Sequence, residues 1–128
     1  AATLPFKKVI GIELNHDLYT SSVEPLERVR PHLTCQDIEL VEADATQWDM
    51  PADASVLFIW NSFLGDILHR VLQRIQAHHA QHQKPITLIY AIPDGDPDTL
   101  SSLPWLSDRQ EIPPRFWTGI RVFRYRVA

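Results

Sequence analysis

One short stretch, residues 9–15, constrains the fold more than any other part of the sequence. It reads Val-Ile-Gly-Ile-Glu-Leu-Asn, and such a near-continuous apolar run is typical of a strand that is buried on both faces. Glu13 marks the carboxyl end of this strand. In open α/β sheets ligands bind beyond the carboxyl ends of strands, where an acid can accept both ribose hydroxyls of a nucleotide-like cofactor. Alternatively, Glu13 begins the next helix, where a carboxylate near the N-terminus is favourable.

Composition narrows the class of protein. The chain has 128 residues, of which 45% are hydrophobic and 22% charged, and this predicts one globular domain with an ordinary core. A net charge of −4 does not favour nucleic-acid binding, which usually needs a basic patch. A single cysteine, Cys35, fits a reducing compartment, so we expect a cytoplasmic protein. No apolar run approaches the roughly 20 residues of a membrane span, and no signal peptide is recognised.

The first half of the sequence predicts strand, helix, strand. Residues 6–14 form the first strand and residues 15–30 the helix, which Asn15 caps. Pro25 predicts a kink or a break in this helix. The side chains spaced to form its buried stripe are Leu18, Val23, Leu26 and Val29.

The next two predicted strands end in polar residues. Residues 38–44 alternate and then end on Asp44, which predicts a second strand that ends in an acid. The alternative is that Asp44 is a solvated loop acid or a helix cap. Residues 55–60 are the most hydrophobic run in the chain and predict a central parallel strand. That strand stops at Asn61-Ser62-Phe63.

The second half predicts a helix, a strand and a terminal hairpin. The helix covers residues 64–81, and the following strand covers residues 86–92. Residues 94–104 are rich in turn signals, with room for one short helix. A short strand at 109–113 and a cleanly alternating one at 120–127 predict an antiparallel hairpin. The helix positions expected to face the sheet are Ile67, Leu68, Val71, Leu72 and Ile75.

This order of elements resembles the class I S-adenosylmethionine-dependent methyltransferase family, from its second strand to its last. The resemblance implies an α/β, Rossmann-like fold with a mainly parallel sheet and a C-terminal antiparallel hairpin, here residues 109–127. It implies that Glu13 holds the cofactor ribose and that Asp44 contacts the adenine. In that family the fourth strand ends in a polar motif at the reaction site, which implies that Asn61 positions the methyl acceptor.

One part of the family pattern is missing from the sequence. A complete member begins with another strand, a glycine-rich loop and a helix, whereas the four glycines here, at positions 11, 65, 95 and 119, form no such loop. The missing strand would lie between the strands of Glu13 and Asn61. Residues 1–128 are therefore expected to be a single truncated methyltransferase-like domain that binds S-adenosylmethionine weakly or not at all and is not catalytically competent alone.

Several explanations and functions stay open. The chain could be a truncated product whose strands of Glu13 and Asn61 now pair directly, a part of a longer chain, or a subunit in which a second copy fills the gap. A homodimer is expected, because unpaired strand edges are templates for pairing. The alternative functions are an active methyltransferase completed by upstream chain or a partner subunit, and a self-associating or nucleotide-binding module without catalysis. A dinucleotide dehydrogenase fits less well, because it too needs the missing glycines.

Two further groups of residues have simpler explanations than a functional site. His78, His79 and His82 lie at the end of the long predicted helix, and the one-turn spacing of His78 and His82 can bind a transition metal. No acid or third ligand is fixed nearby, and histidines also suit the negative end of a helix dipole, so no metal site is expected. Trp60 and Phe63 are equally explained as an aromatic wall for a ligand or as core.

Overall fold

The computed structural model describes residues 1–60, 63–113 and 118–128 and divides the chain into two units, Ala1–Asp49 and Met50–Ala128. The first unit contains β1 (Val9–Glu13), α1 (His16–Val29), a 3-10 turn (Arg30–His32) and β2 (Ile38–Glu42). The second contains β3 (Val56–Trp60), α2 (Gly65–His82), β4 (Ile86–Pro93), a 3-10 turn (Thr99–Ser102), β5 (Leu106–Ile112) and β6 (Ile120–Val127). Neither helix in these ranges is long and apolar enough to cross a membrane.

In the first unit, β1 and β2 pair in parallel, from Val9 opposite Ile38 to Glu13 opposite Glu42. Asn15 caps α1 as predicted, because its side-chain oxygen accepts a hydrogen bond from the Leu18 amide at 3.0 Å. The expected break at Pro25 is wrong, since α1 runs unbroken through that residue. Proline removes the donor to the Ser21 carbonyl, but both residues are exposed, so water can replace the lost partner.

The buried stripe predicted for α1 is also wrong. Leu18, Val23 and Val29 are exposed, Leu26 is half-buried, and no residue of α1 is fully buried. The physical reason is the width of the surface beneath the helix: two five-residue strands bury little apolar area on their own. The predicted helix is present, but the sheet of this unit is too narrow to cover its apolar side chains.

In the second unit, four strands form a mixed sheet in the order β3–β4–β6–β5. β3 and β4 are parallel, whereas β4 with β6 and β5 with β6 are antiparallel, which confirms the C-terminal hairpin. The described strands thus make two parallel and two antiparallel pairings in two sheets. The predicted α/β fold with mixed pairing is therefore confirmed, whereas one mainly parallel sheet stays a prediction.

The hydrophobic core of the second unit lies on α2, β4 and β6. Leu88 and Phe123 are completely buried, and α2 is amphipathic as predicted, except that Ile67 is exposed. Ile67 lies in the first turn of the helix, immediately before Leu68, the first buried residue. The buried residues of α2 are Leu68, Val71, Leu72, Ile75 and His78.

β3 is not buried on both faces as its composition predicted. Ile59 is buried, but Val56, Phe58 and Trp60 are 37%, 52% and 37% exposed. Within the described ranges β3 pairs only with β4 in the sheet of the second unit, so it is an edge strand of that sheet.

Candidate functional site

Glu13 is the last residue of β1, where the sequence predicted a ligand-binding acid. Its Oε1 accepts a hydrogen bond from the Asn15 amide at 2.8 Å, and its backbone oxygen accepts one from the Ala43 amide at 3.0 Å. No residue that the structure describes donates to Oε2. One oxygen therefore stabilises the turn that leads into α1, and the other is an acceptor at the carboxyl end of a strand. The contact between Glu13 and a ligand stays a prediction.

Asp44 lies two residues beyond β2, which ends at Glu42 rather than at Asp44. Its Oδ1 accepts hydrogen bonds from the Thr46 amide at 2.8 Å and the Thr46 hydroxyl at 2.7 Å. Its backbone oxygen accepts from the amides of Gln47 and Trp48, both at 2.9 Å. These bonds form an Asx-type turn, so the geometry is that of the loop acid which the sequence left open as an alternative.

The structure brings Glu13 and Asp44 to the same edge of the first sheet. β1 and β2 are parallel neighbours in register, with Glu13 opposite Glu42, so their carboxyl ends meet at one edge. The Ala43–Glu13 backbone bond continues that pairing beyond the last strand residue. An edge of this kind, with acids leaving adjacent parallel strands, can accept hydrogen bonds from hydroxyl and amino groups of a nucleoside.

His16 and Glu42 form a further polar pair at this edge, which the sequence did not predict. His16 Nδ1 lies 3.1 Å from both carboxylate oxygens of Glu42. Glu42 lies opposite Glu13, and like charges at directly opposed positions are unfavourable. The contact with the His16 imidazole therefore offsets the repulsion between the two carboxylates. The sequence feature that could have indicated this pair is that the two apolar strands, β1 and β2, both end in glutamate.

A small cleft adjoins Glu13. Its volume is about 170 Å³, and three of its lining residues, Glu13, Tyr19 and Ser22, bring polar side chains, while Gly11, Ile12 and Leu40 complete it. Gly11 allows the close approach of β2, since a Cβ there would lie 3.0 Å from Leu40 Cδ2. Pockets that hold a cofactor-sized ligand usually measure about 300–1,000 Å³, so this cleft has room for only a fragment of such a molecule.

Asn61, the predicted acceptor-positioning residue, lies outside the described residues, as does Ser62. Trp60 and Phe63, on either side, are described. The Trp60 ring centroid is 6.0 Å from that of Phe58, with the planes tilted by 43°. Trp60 is thus part of the exposed aromatic face of β3 and not of the core.

The second unit holds a buried polar cluster that no sequence pattern indicated. The Asp98 side chain is 6% exposed, and its Oδ2 accepts hydrogen bonds from Tyr125 Oη and, at 2.8 Å, from Arg109 Nε. Burial raises the pKa of Tyr125, and the adjacent Asp98 raises it further. The cluster joins the β4–β5 connection to both strands of the hairpin, so its role is to fix that connection.

Comparison with known proteins gives a fold and no family. No family model matches the chain, and no curated protein matches it significantly. Among solved structures, the proposed methylase HI0767 from Haemophilus influenzae is similar, with 15% identity and a TM-score of 0.59; the match covers 94% of this chain and 66% of that one. The proposed methyltransferase YhhF from Escherichia coli has 8% identity and a TM-score of 0.62, with 94% and 63% covered.

These likenesses support a methyltransferase-like α/β fold. At such low identities they show the arrangement of the backbone and not a shared activity. The chain spans a little under two thirds of the length of each of these structures.

Proposed function

We propose that this chain is a methyltransferase-like module that carries the ribose and adenine side of an S-adenosylmethionine site and is not catalytically competent by itself. The observation that carries the proposal is the placement of Glu13 and Asp44 at the shared carboxyl edge of the parallel strands β1 and β2. The similarity in fold to proposed methyltransferases supports the same interpretation. On this proposal the two units form one domain.

The two acids suit different parts of a nucleoside. Glu13 keeps a carboxylate oxygen for ribose hydroxyls while its other oxygen holds the turn into α1. Asp44 holds the turn that leaves β2, and the adenine would lie against that turn. A hydrogen bond to a charged acceptor contributes about 1.5–3 kcal/mol, so two such contacts account for weak, specific recognition.

The sequence has no glycine-rich loop to bind the methionine part of the cofactor. Its carboxylate would need backbone donors from a glycine-rich loop followed by a helix N-terminus, and no such loop occurs in these 128 residues. The contacts from the two acids must overcome an association cost of at least about 4 kcal/mol. We therefore infer an affinity in the millimolar range or weaker. Methyl transfer also needs an aligned acceptor, for which Asn61 is the proposed positioning residue, so turnover should be undetectable.

The test is a ¹H–¹⁵N NMR titration of the chain with adenosine. The expected result is a set of concentration-dependent shifts confined to the amides of residues 13–16 and 43–47, which are lost in Glu13→Gln and Asp44→Asn. The matched control is Glu39→Gln, since Glu39 is an acid of the same sheet that pairs with Lys8 at 2.7 Å; its shifts should equal the wild type. Shifts elsewhere, or unchanged shifts in both acid variants, would refute the proposed site.

A second candidate is an active methyltransferase completed by further chain or by a partner subunit. The length of the similar structures favours it, since the match covers only 66% and 63% of them. Intact mass of the protein isolated from its natural source, set beside the gene that encodes it, would test this. A mass equal to that of these 128 residues would exclude completion by the same chain.

A further inference from the structure

The last turns of α2 bring two imidazole rings into contact. His78 and His82 are one helical turn apart, and their ring centroids are 4.4 Å apart with the planes tilted by 50°. His79, between them in sequence, makes a hydrogen bond instead: its Nδ1 donates to the Lys84 carbonyl at 2.9 Å. Neither His78 nor His82 has a hydrogen bond to any residue that the structure describes. Their ring nitrogens therefore remain available as ligands.

The environment of His78 argues against the simpler explanation of this pair. A histidine that serves the negative end of a helix dipole does so as a cation, which raises its pKa. His78 is instead 9% exposed, and burial lowers its pKa, with the nearby His82, His79 and Lys84 lowering it further. His78 is thus a buried side chain packed against His82, and not an exposed side chain at the helix terminus.

We propose that His78 and His82 form a two-imidazole site for a divalent transition metal of the Zn²⁺, Ni²⁺ or Cu²⁺ type. Two histidines at i and i+4 on one helix face are an established metal-binding spacing, and imidazole suits these ions. The described residues contain no cluster of three or more metal-binding side chains, so water fills the remaining coordination positions. The bound charge lies near the C-terminal end of α2, where the helix dipole favours a cation.

The test is isothermal titration of untagged protein with ZnCl₂ alone and NiCl₂ alone at pH 7.5. Wild type should bind one ion. His82→Asn should weaken binding about a hundredfold, the order of magnitude gained when two linked ligands act together. His82 is only half-buried, so this variant should fold. His78→Asn should give the same loss, and circular dichroism checks its fold.

The matched control is His69→Asn on the same helix. His69 is exposed and lies 3.0 Å from Gln73 through its Nε2, so its removal should leave metal affinity unchanged. No binding by wild type, equal binding by His82→Asn, or an equal loss in His69→Asn would each overturn the proposal.

Discussion

At the scale of single residues, Glu13 has two roles that a substitution can separate. Its Oε1 holds the Asn15 amide, and an amide oxygen can do the same, whereas the charge is needed only for a ligand. Glu13→Gln should therefore change the free energy of unfolding by less than about 0.5 kcal/mol, while Glu13→Ala should cost about 1 kcal/mol by removing the acceptor. Urea unfolding of the two variants measures the difference. Equal losses would mean that the hydrogen bond to Asn15 contributes nothing.

Loss of the Asp98 carboxylate should destabilise the second unit. Asp98→Ala leaves Tyr125 Oη, in a side chain that is almost fully buried, without its acceptor, and we expect a loss of about 2–3 kcal/mol in the free energy of unfolding. Asp98→Asn keeps an oxygen for the tyrosine and should cost less. The control is Asp96→Ala, at an exposed position of the same connection. Chemical denaturation compares the three variants, and a loss for Asp98→Ala no larger than the control would contradict the cluster's structural role.

At the scale of elements, features within one helix or strand could be predicted from the sequence, whereas the elements that pack against it could not. The Asn15 cap, the period of α2 and the alternation of β6 follow from the chemistry of adjacent residues, and the structure contains all three. The exposed faces of α1 and β3 were not predictable, because an apolar side chain is buried only if another element covers it. The Asp98 cluster joins residues 27 positions apart, a contact that no short motif encodes.

His78, near the C-terminal end of α2, should make the stability of the protein depend on pH. Because the pKa of His78 is lowered in the folded protein, the unfolded chain binds more protons near pH 6. The free energy of unfolding should therefore fall as the pH drops below about 6.5, the pKa of an unperturbed histidine, and continue to fall until the folded-state pKa is passed. Urea midpoints from pH 7.5 to pH 5, in EDTA, should show a shallower fall for His78→Gln than for wild type. The exposed-site variant His69→Gln should keep the wild-type slope; identical slopes in all three would contradict this assignment.

At the scale of the whole molecule, the homodimer stays a prediction. The exposed face of β3 is the surface through which two copies are expected to associate. Val56, Phe58 and Trp60 are uncharged and lie on an edge strand that carries no proline or charge, and such edges favour pairing with another strand. Sedimentation at tens of micromolar protein should show a species heavier than the 14.7 kDa chain. Phe58→Lys should shift it to monomer, whereas Glu24→Lys on exposed α1 should not. A monomer in the wild type would refute self-association.

The central claim is that Glu13 and Asp44 alone do not make a working S-adenosylmethionine site. Calorimetric titration of the 128-residue chain with S-adenosylmethionine and with its demethylated product tests it most directly. We predict no binding tighter than about 1 mM, which corresponds to about −4 kcal/mol. Micromolar binding that disappears in Glu13→Ala and Asp44→Ala would contradict the claim, because another part of the chain or a second copy would then have to replace the glycine-rich loop.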